Sequence, residues 1–206
     1  MRPRAWIAVL VVIAAAAVFH VRVLAGVARF MSASDLVQPA DAILPLYQDE
    51  NLPFVAADLY RRGFAARVVL GRMRPTRLEA AGLITPRYEL WRKVLRIQGV
   101  PDAALEGIGQ DLVNEVDLGR ALVRSLTPQP RRVIVVTSAP FGRLARNDLR
   151  SALAGSAIDL RVYPVYPREF DERTWWRGRH SALSYVDAYY LWFVRVLRHE
   201  LAHTRS

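Results

Sequence analysis

The chain has 206 residues, enough for one domain of ordinary size with its own core. Hydrophobic residues make up 52% of it, which excludes an intrinsically disordered protein, and the absence of cysteine excludes disulfides and cysteine-ligated metals. Basic residues exceed acidic ones by 29 to 19, a net charge of +10 that suits anionic lipid or phosphate. Because no basic block is interleaved with aromatic side chains, we predict no nucleic-acid partner.

Residues 1–28 have the pattern of a membrane anchor. Arg2 and Arg4 precede an uncharged run over 5–19, about 22 Å long as a helix and short of the roughly 30 Å hydrocarbon layer. Counting on to residue 24, with Arg22 reaching the far interface, gives about 20 residues and a complete span. Since flanking basic residues stay in the cytoplasm, we predict a single-pass inner (plasma) membrane protein whose main domain is periplasmic or extracytoplasmic.

Two other interpretations of this segment stay open. Gly26 and Ala28 have the small-x-small spacing of a signal-peptide cleavage site, and a buried helix of a soluble protein would also be apolar. Our prediction is an N-terminal anchor or signal segment over 1–28, a linker over 29–39 and an α/β domain over 40–206.

Short apolar runs alternate with helical patterns along 40–206. The predicted strands are 40–47, 66–71, 103–108, 131–138 and 160–165, and the predicted helices are 52–63, 86–99, 114–126, 143–153 and 181–203. Alternating strands and helices, with strands that are apolar throughout, indicate a parallel sheet covered on both faces. We therefore predict a Rossmann-like three-layer α/β sandwich with about five mostly parallel strands, plus an N-terminal transmembrane helix.

Polar residues follow the predicted strands, at the edge where such sheets bind ligands. They are Tyr47 after the first strand, Arg72 after the second, Asp111, Asn114 and Asp117 after the third, and Thr137, Ser138 and Arg143 after the fourth. Hydroxyl groups beside backbone amides at a helix start, with arginines close by, suit a phosphate. Asn114 and Asp117 fit a helix-capping pair equally well, and Thr137 and Ser138 fit a cap.

Signatures of known cofactor and metal sites are missing. The sequence has no glycine-rich dinucleotide motif, no P-loop and no GxSxG. His199 and His203 lie four residues apart, but at the end of the last predicted helix and without a zincin order. We predict no metal site and leave the cofactor and the oligomeric state open.

The chain resembles the domain of unknown function 218 family, the YdcF/SanA/ElyC-like proteins. The matching stretches are 40–46, 56–71, 89–101, 113–122, 133–153 and 170–177. Their most specific parts are Gly99-Val100-Pro101, Val136-Thr137-Ser138 after a strand, and the pair Trp175-Trp176. The resemblance implies a Rossmann-like fold, an N-terminal membrane anchor and a role in the bacterial envelope, in peptidoglycan or lipid-carrier metabolism.

The chain departs from the family at its ligand loop. Members commonly have glycines after the first strand, where this chain has Tyr47-Gln48, and a Thr-Ser-x-x-His-x-x-Arg pattern after the fourth. Thr137 and Ser138 match, but Phe141 replaces the histidine, and Arg143 lies one residue before the arginine position, which turns it about 100° on a helix. Phe141 cannot act as a general acid or base.

The family's acidic and polar positions correspond to five residues of this chain. They are Asp41, Glu89, Asp111, Asn114 and Asp117. Asp41, Glu89 and Asp117 are the candidate catalytic acids. The ligand-binding candidates are Tyr47, Arg72, Asp111, Asn114, Thr137, Ser138, Arg143, Trp175 and Trp176.

Two functions fit this pattern best. The first is an envelope protein that binds or processes a phosphate-bearing ligand, a polyprenyl phosphate or cell-wall precursor, at the carboxyl edge of the sheet. The second is a non-catalytic scaffold whose pocket is closed by Phe141 and Tyr47, and which docks a partner through Trp175, Trp176 and one face of the last helix. A nucleotide-binding enzyme is a weaker third possibility, because no glycine-rich phosphate loop is present.

Overall fold

The computed structural model describes residues 3–125, 132–167 and 170–203. The strands are β1 (Ala40–Pro45), β2 (Ala65–Met73), β3 (Leu105–Leu112), β4 (Arg132–Ser138) and β5 (Asp159–Val165). The helices are α1 (Pro3–Ser32), α2 (Leu52–Arg61), α3 (Arg77–Ala80), α4 (Arg87–Ile97), α5 (Glu115–Ser125), α6 (Gly142–Ala152) and α7 (Arg179–His203). The predicted helix 114–126 and strand 131–138 each have one terminal residue, 126 and 131, outside the described residues.

The five strands form one parallel sheet in the order β3-β2-β1-β4-β5. The predicted fold class is confirmed: an α/β sheet flanked by helices. The middle parts of the central strands, over 42–45 and 133–136, are apolar because both of their faces are buried, and Ile43, Ile134 and Val135 have no exposed surface. Such a sheet brings the ends of β1 and β4 side by side, and Pro45 is in register with Val136.

Two hydrophobic clusters cover the faces of the sheet. On one face, Leu118 and Leu122 of α5 and Leu149 of α6 pack against strand residues such as Leu44 and Val135. On the other, α2 and α4 contribute Leu52, Ala56, Leu59, Trp91 and Leu95. The amphipathic spacing of these helices is the reason that each buries one side.

A third cluster joins the two terminal helices to the domain. Ala28 and Met31 of α1 are fully buried there with Trp175, Tyr185 and Ala188. The indole Nε1 of Trp175 donates a hydrogen bond to the Leu24 carbonyl oxygen at 3.0 Å. The last turns of α1 are therefore part of the folded core.

The stretch between α1 and β1 lies along the outer strand of the sheet. The Asp35 amide donates to the Val162 carbonyl at 3.0 Å, and the Val162 amide donates to the Asp35 carboxylate at 2.8 Å. Arg146 of α6 forms an ion pair with the same carboxylate at 2.6 Å. Residues 29–39, predicted to be a linker, thus comprise the last turn of α1 and an extended segment fixed to β5.

β3 begins and ends later than its predicted bounds of 103–108. It is an edge strand of the sheet, and its second half, over 109–112, contains Gly109, Gln110 and Asp111. An edge strand has one unpaired side and does not need a continuous apolar run, so hydrophobicity alone misplaces it. The one-turn helix α3 was not predicted at all.

Candidate functional site

Two hydrogen-bond donors at the carboxyl end of β4 converge on one acceptor. The Thr137 hydroxyl donates to the Gln48 amide oxygen Oε1 at 2.6 Å, and the Ser138 backbone N–H points to the same atom at 3.3 Å. Thr137 is fully buried and Ser138 nearly so. The other end of the Gln48 amide, Nε2, lies 3.5 Å from the Glu115 carboxylate. The neutral Gln48 side chain thus occupies the donor pair.

Gln48, the acceptor of this donor pair, lines a crevice of about 210 Å³ at the carboxyl edge of the sheet. Its lining residues are Leu46, Tyr47, Gln48, Met73, Arg87, Val113, Asn114, Glu115 and Leu118. They come from the ends of β1, β2 and β3 and from the first turns of α4 and α5. The volume is below the roughly 300 Å³ of the smallest drug-sized pockets, so the crevice suits a small polar group.

Tyr47 forms one wall of the crevice. Its ring centroid is 4.4 Å from that of Trp91, and the Arg87 guanidinium carbon is 5.9 Å from the Tyr47 centroid. The Tyr47 hydroxyl is buried and has no hydrogen-bond partner among the described residues. Burial raises the pKa of Tyr47 well above its ordinary value, so the phenol stays protonated and can donate.

Glu79 fixes the loop that presents Arg87. Its carboxylate accepts hydrogen bonds from the backbone N–H groups of Thr76 and Arg87, each at 2.6 Å. The Thr76 N–H, followed by the Arg87 N–H and guanidinium, keeps the pKa of Glu79 below its ordinary value although the side chain is buried. The pattern Thr76-x-x-Glu79 is a capping box, a signal in the sequence that our sequence analysis missed.

Asn114 and Asp117 form the capping pair that the sequence allowed. The Asn114 side-chain oxygen accepts from the Asp117 amide at 2.9 Å, and the Asp117 carboxylate accepts from the Val113 amide at 3.2 Å. Asn114 also lines the crevice. Asp117 does not line it and instead forms an ion pair with Arg120 at 3.5 Å.

Three of the predicted residues lie on the surface around this edge. Asp111 is exposed, has a positive φ of 51° and lies beside Asp117 and Arg120. Arg72 is exposed, with its guanidinium carbon 5.3 Å from the centroid of the Tyr88 ring. Glu89 is exposed in the first turn of α4. None of the three lines the crevice.

Asp41 lies at the opposite edge of the sheet. It is the second residue of β1, and its carboxylate accepts from the Arg132 backbone N–H at 3.0 Å. The Arg132 side chain in turn forms an ion pair with Asp159 at 2.9 Å. A parallel strand has its amino end on the side away from the crevice, so the structure does not bring this candidate acid to the ligand edge.

Arg143 and Phe141 both turn toward α1. The Arg143 Nε donates to the Phe30 carbonyl at 2.5 Å, and its guanidinium carbon is 3.7 Å from the centroid of the Phe30 ring. Phe141 packs against the third hydrophobic cluster. Desolvation lowers the pKa of Arg143, without removing its charge. Arg143 therefore does not replace the family arginine at the crevice, and Phe141 does not close it.

The tryptophan pair belongs to the junction of α1 and α7. Trp175 is buried, with its ring centroid 4.6 Å from that of Tyr185. Trp176 is half-buried and meets the His20 ring edge to face at 6.1 Å. Both were candidate ligand-binding residues and part of a possible docking surface; in the structure they contact the N-terminal helix.

Three polar residues that line the crevice were not among the predicted binding residues. They are Gln48, Arg87 and Glu115. Only Gln48 was marked out by the sequence: the resemblance aligns it with a position where family members commonly have glycine. In the part of the chain that the structure describes, no three His, Asp or Glu side chains are grouped to hold a metal ion.

Comparison with known proteins adds no assignment. No protein-family model matches the chain, and no curated protein matches it either. The resemblance to the domain of unknown function 218 family stays a prediction.

Proposed function

We propose that this protein is a membrane-anchored envelope protein, of the YdcF/SanA-like type, that binds a phosphate-bearing ligand in the crevice. The ligand class is a polyprenyl phosphate or a related cell-wall precursor. The observation that carries the proposal is the convergence of the Thr137 hydroxyl and the Ser138 N–H on one oxygen, that of Gln48. In the bound state, a phosphate oxygen takes the position of Gln48 Oε1.

Three features support an anion at this point. The donor pair lies at the carboxyl end of a parallel strand, where ligands of such sheets bind. Hydrogen bonds from a hydroxyl and a backbone N–H strengthen when the acceptor is charged, so an anionic oxygen competes well with a neutral amide. Arg87 lines the same crevice and supplies a positive charge next to the wall that Tyr47 forms.

The N-terminal helix supports the membrane part of the proposal. Within α1, Val12–Ser32 is long and apolar enough to cross a membrane, with only 13% of its most apolar part buried. Buried contacts of Ala28 and Met31, and the bond from Trp175 to Leu24, favour a retained anchor over cleavage after Ala28. Arg2 and Arg4 favour a cytoplasmic N-terminus, which places the domain on the extracytoplasmic side, near lipid-linked phosphates.

The proposal is limited to binding because, among the described residues, no titratable side chain contacts the donor pair directly. Glu115 reaches it only through Gln48, and Asp41, Glu89 and Asp117 lie outside the crevice. General acid–base catalysis needs a titratable group within hydrogen-bond reach of the reacting atom.

Calorimetric titration tests the proposal on the full chain in phosphatidylcholine nanodiscs. The ligand is farnesyl phosphate, farnesol is the control without phosphate, and inorganic phosphate tests the headgroup alone. We expect saturable binding of farnesyl phosphate that Thr137→Val weakens at least about tenfold, since a hydrogen bond to a charged group contributes about 1.5–3 kcal/mol.

Thr174→Val is the matched control, because Thr174 is exposed and its side chain caps no helix. It should leave the affinity unchanged. Equal binding of farnesol and farnesyl phosphate, or an equal response to both substitutions, contradicts a phosphate site at the donor pair.

The second candidate function is a non-catalytic scaffold. It is favoured by one observation, that Gln48 already satisfies both donors. This function predicts no phosphate-dependent binding in the same titration.

A further inference from the structure

A stripe of apolar side chains runs along the exposed side of α7. It consists of Leu183, Val186, Tyr190, Phe193 and Leu197, at intervals of three and four residues, and each is at least 45% exposed. This spacing places all five on one face of the helix. A helix that merely covers a soluble core turns polar residues outward, so a continuous apolar face on the outside marks a contact with something else.

The opposite side of α7 packs against the membrane-spanning helix. The ring centroid of Trp192 is 5.0 Å from that of Phe30, and Tyr185 lies in the cluster that contains Ala28 and Met31. The stripe is thus carried by a helix that is fixed to the end of α1.

An open groove of about 510 Å³ joins the stripe to α1 itself. It is lined by Val27, Trp175, Tyr185, Val186, Tyr189, Tyr190 and Phe193. Val27 follows Val23, an exposed residue of the span, by four residues, or about 6 Å along the helix. The apolar surface of the span therefore continues without a break into the groove and onto α7.

The surroundings of the groove have the character of a membrane interface. Trp176 contacts His20 near the end of the span, and tryptophan is enriched at the boundary between lipid and water. Arg177 and Arg179, at the start of α7, are exposed and can reach anionic headgroups. Within the stripe, Tyr190 joins an apolar ring to a polar hydroxyl, as interfacial residues do.

We propose that the stripe on α7 rests on the bilayer, so that lipid acyl chains fill the groove between α7 and α1. This inference rests on the proposal that α1 spans the membrane, and is independent of the phosphate site. The domain is then held against the lipid surface along α7, in one orientation, rather than carried at the end of a single flexible tether.

Lipid fits this surface better than a second copy of α7. Two-stranded helix pairs use Leu, Ile and Val at the spaced positions, with oppositely charged flanking residues. Here Tyr190 and Phe193 occupy the middle of the stripe, and its flanks carry Tyr189, Val194 and Val196 with a single carboxylate, that of Asp187. One wall of the groove is Val27 of α1, about one turn beyond the end of the proposed span at residue 24.

Single cysteines test the proposal cleanly because the chain has none of its own. Val186→Cys and Tyr190→Cys are labelled with an environment-sensitive fluorophore, in the full chain in vesicles of phosphatidylethanolamine and phosphatidylglycerol. Ile97→Cys, at a similarly exposed apolar position on α4, is the matched control for a label in water. Val12→Cys is the control for a label within the membrane span.

We expect the labels at 186 and 190 to be quenched by brominated lipid and protected from aqueous iodide, as at 12, while the label at 97 shows the reverse. Suppose that brominated lipid quenches the label at position 12, while the labels at 186 and 190 are quenched by iodide like the label at 97. Then α1 spans the membrane, but the stripe is in water and the proposal fails. If the labels at 186 and 190 are protected from both quenchers, protein rather than lipid covers the stripe and the proposal fails; disulfide-linked dimers of unlabelled Tyr190→Cys, formed under an added oxidant, would identify the cover as a second copy. A water-accessible label at 12 overturns both the span and this inference.

Discussion

The two edges of the sheet use polar residues in opposite ways. At the amino edge, charged side chains are paired with one another: Arg132 with Asp159 at 2.9 Å, and Arg67 with Glu106 at 2.9 Å. At the carboxyl edge of β4, the Thr137 hydroxyl and the Ser138 amide meet a single neutral acceptor, Gln48.

The difference separates polar residues that hold the fold from those available to a ligand. Removing one member of a charge pair leaves the other without its partner, so such pairs persist. A neutral amide contributes less as an acceptor than an anion does, so the Gln48 position can be taken over by a charged oxygen. The predictions below test this contrast, in order of decreasing effect.

The Glu79→Gln variant tests whether a charged side chain near the carboxyl edge stabilises the fold. The Glu79 carboxylate accepts one hydrogen bond on each of its two oxygens, from the Thr76 and Arg87 N–H groups. In Glu79→Gln only one oxygen remains, so one N–H group loses its acceptor and the free energy of unfolding should fall by about 2 kcal/mol. Because its folded pKa is lowered, ionised Glu79 stabilises the protein above the unfolded pKa of about 4.3, and this stability is lost as pH falls toward the folded pKa.

Chemical denaturation at pH 7 and at pH 3 measures both effects. The gap between wild type and Glu79→Gln should narrow at the lower pH. Glu89→Gln, an exposed glutamate in the next helix, is the control and should change neither value. A gap that widens on acidification contradicts the assigned role of Glu79.

Gln48→Glu puts a carboxylate on the donor pair, next to that of Glu115, so that the two share at least one negative charge. The carboxylate keeps the hydrogen bonds from Thr137 and Ser138 but repels a phosphate, so affinity for farnesyl phosphate should fall at least about tenfold. Gln110→Glu makes the same charge change at an exposed position of β3 and should alter affinity little. Equal losses in the two variants would mean that net charge, not the donor pair, governs binding.

Asp41→Ala tests the amino edge. It removes the acceptor of the Arg132 N–H, so we expect a loss of about 1 kcal/mol in the free energy of unfolding and no change in ligand affinity. Asp187→Ala, which removes an exposed carboxylate, is the control for stability. Weaker ligand binding by Asp41→Ala without a loss of stability would contradict a structural role.

Asn114→Ser should have the smallest effect. Serine caps helices about as well as asparagine, so thermal stability should change by no more than a few tenths of a kcal/mol. Affinity should also stay the same if Asn114 is a cap. A selective loss of affinity would show that its amide contacts the ligand in the crevice.

Sequence patterns predicted the architecture well because burial controls it. The runs 42–45 and 133–136 are apolar on both faces, and that composition is typical of the central strands of a parallel sheet. The edge strand β3 was placed less well because packing on its open side is not required. The Thr137-Ser138 position at the end of β4 also followed from topology alone, since parallel strands end at the same edge.

The rest of the site depends on side-chain directions that the sequence does not contain. Arg143 is in the right loop, but the start of α6 turns it toward Phe30. Trp175 and Trp176 lie far along the chain from the helix that they contact, and no periodic pattern in the sequence predicts that contact. Gln48 and Arg87 meet in one crevice only because β1 and α4 are adjacent in space.

The most direct test of the donor pair is the backbone amide resonance of Ser138, in the full chain in nanodiscs, during titration with farnesyl phosphate. We predict that the Ser138 amide and the Gln48 side-chain amide shift together and saturate, and that Thr137→Val suppresses both shifts. If these two resonances stay in place while the ligand binds elsewhere on the protein, the donor pair is not the phosphate site.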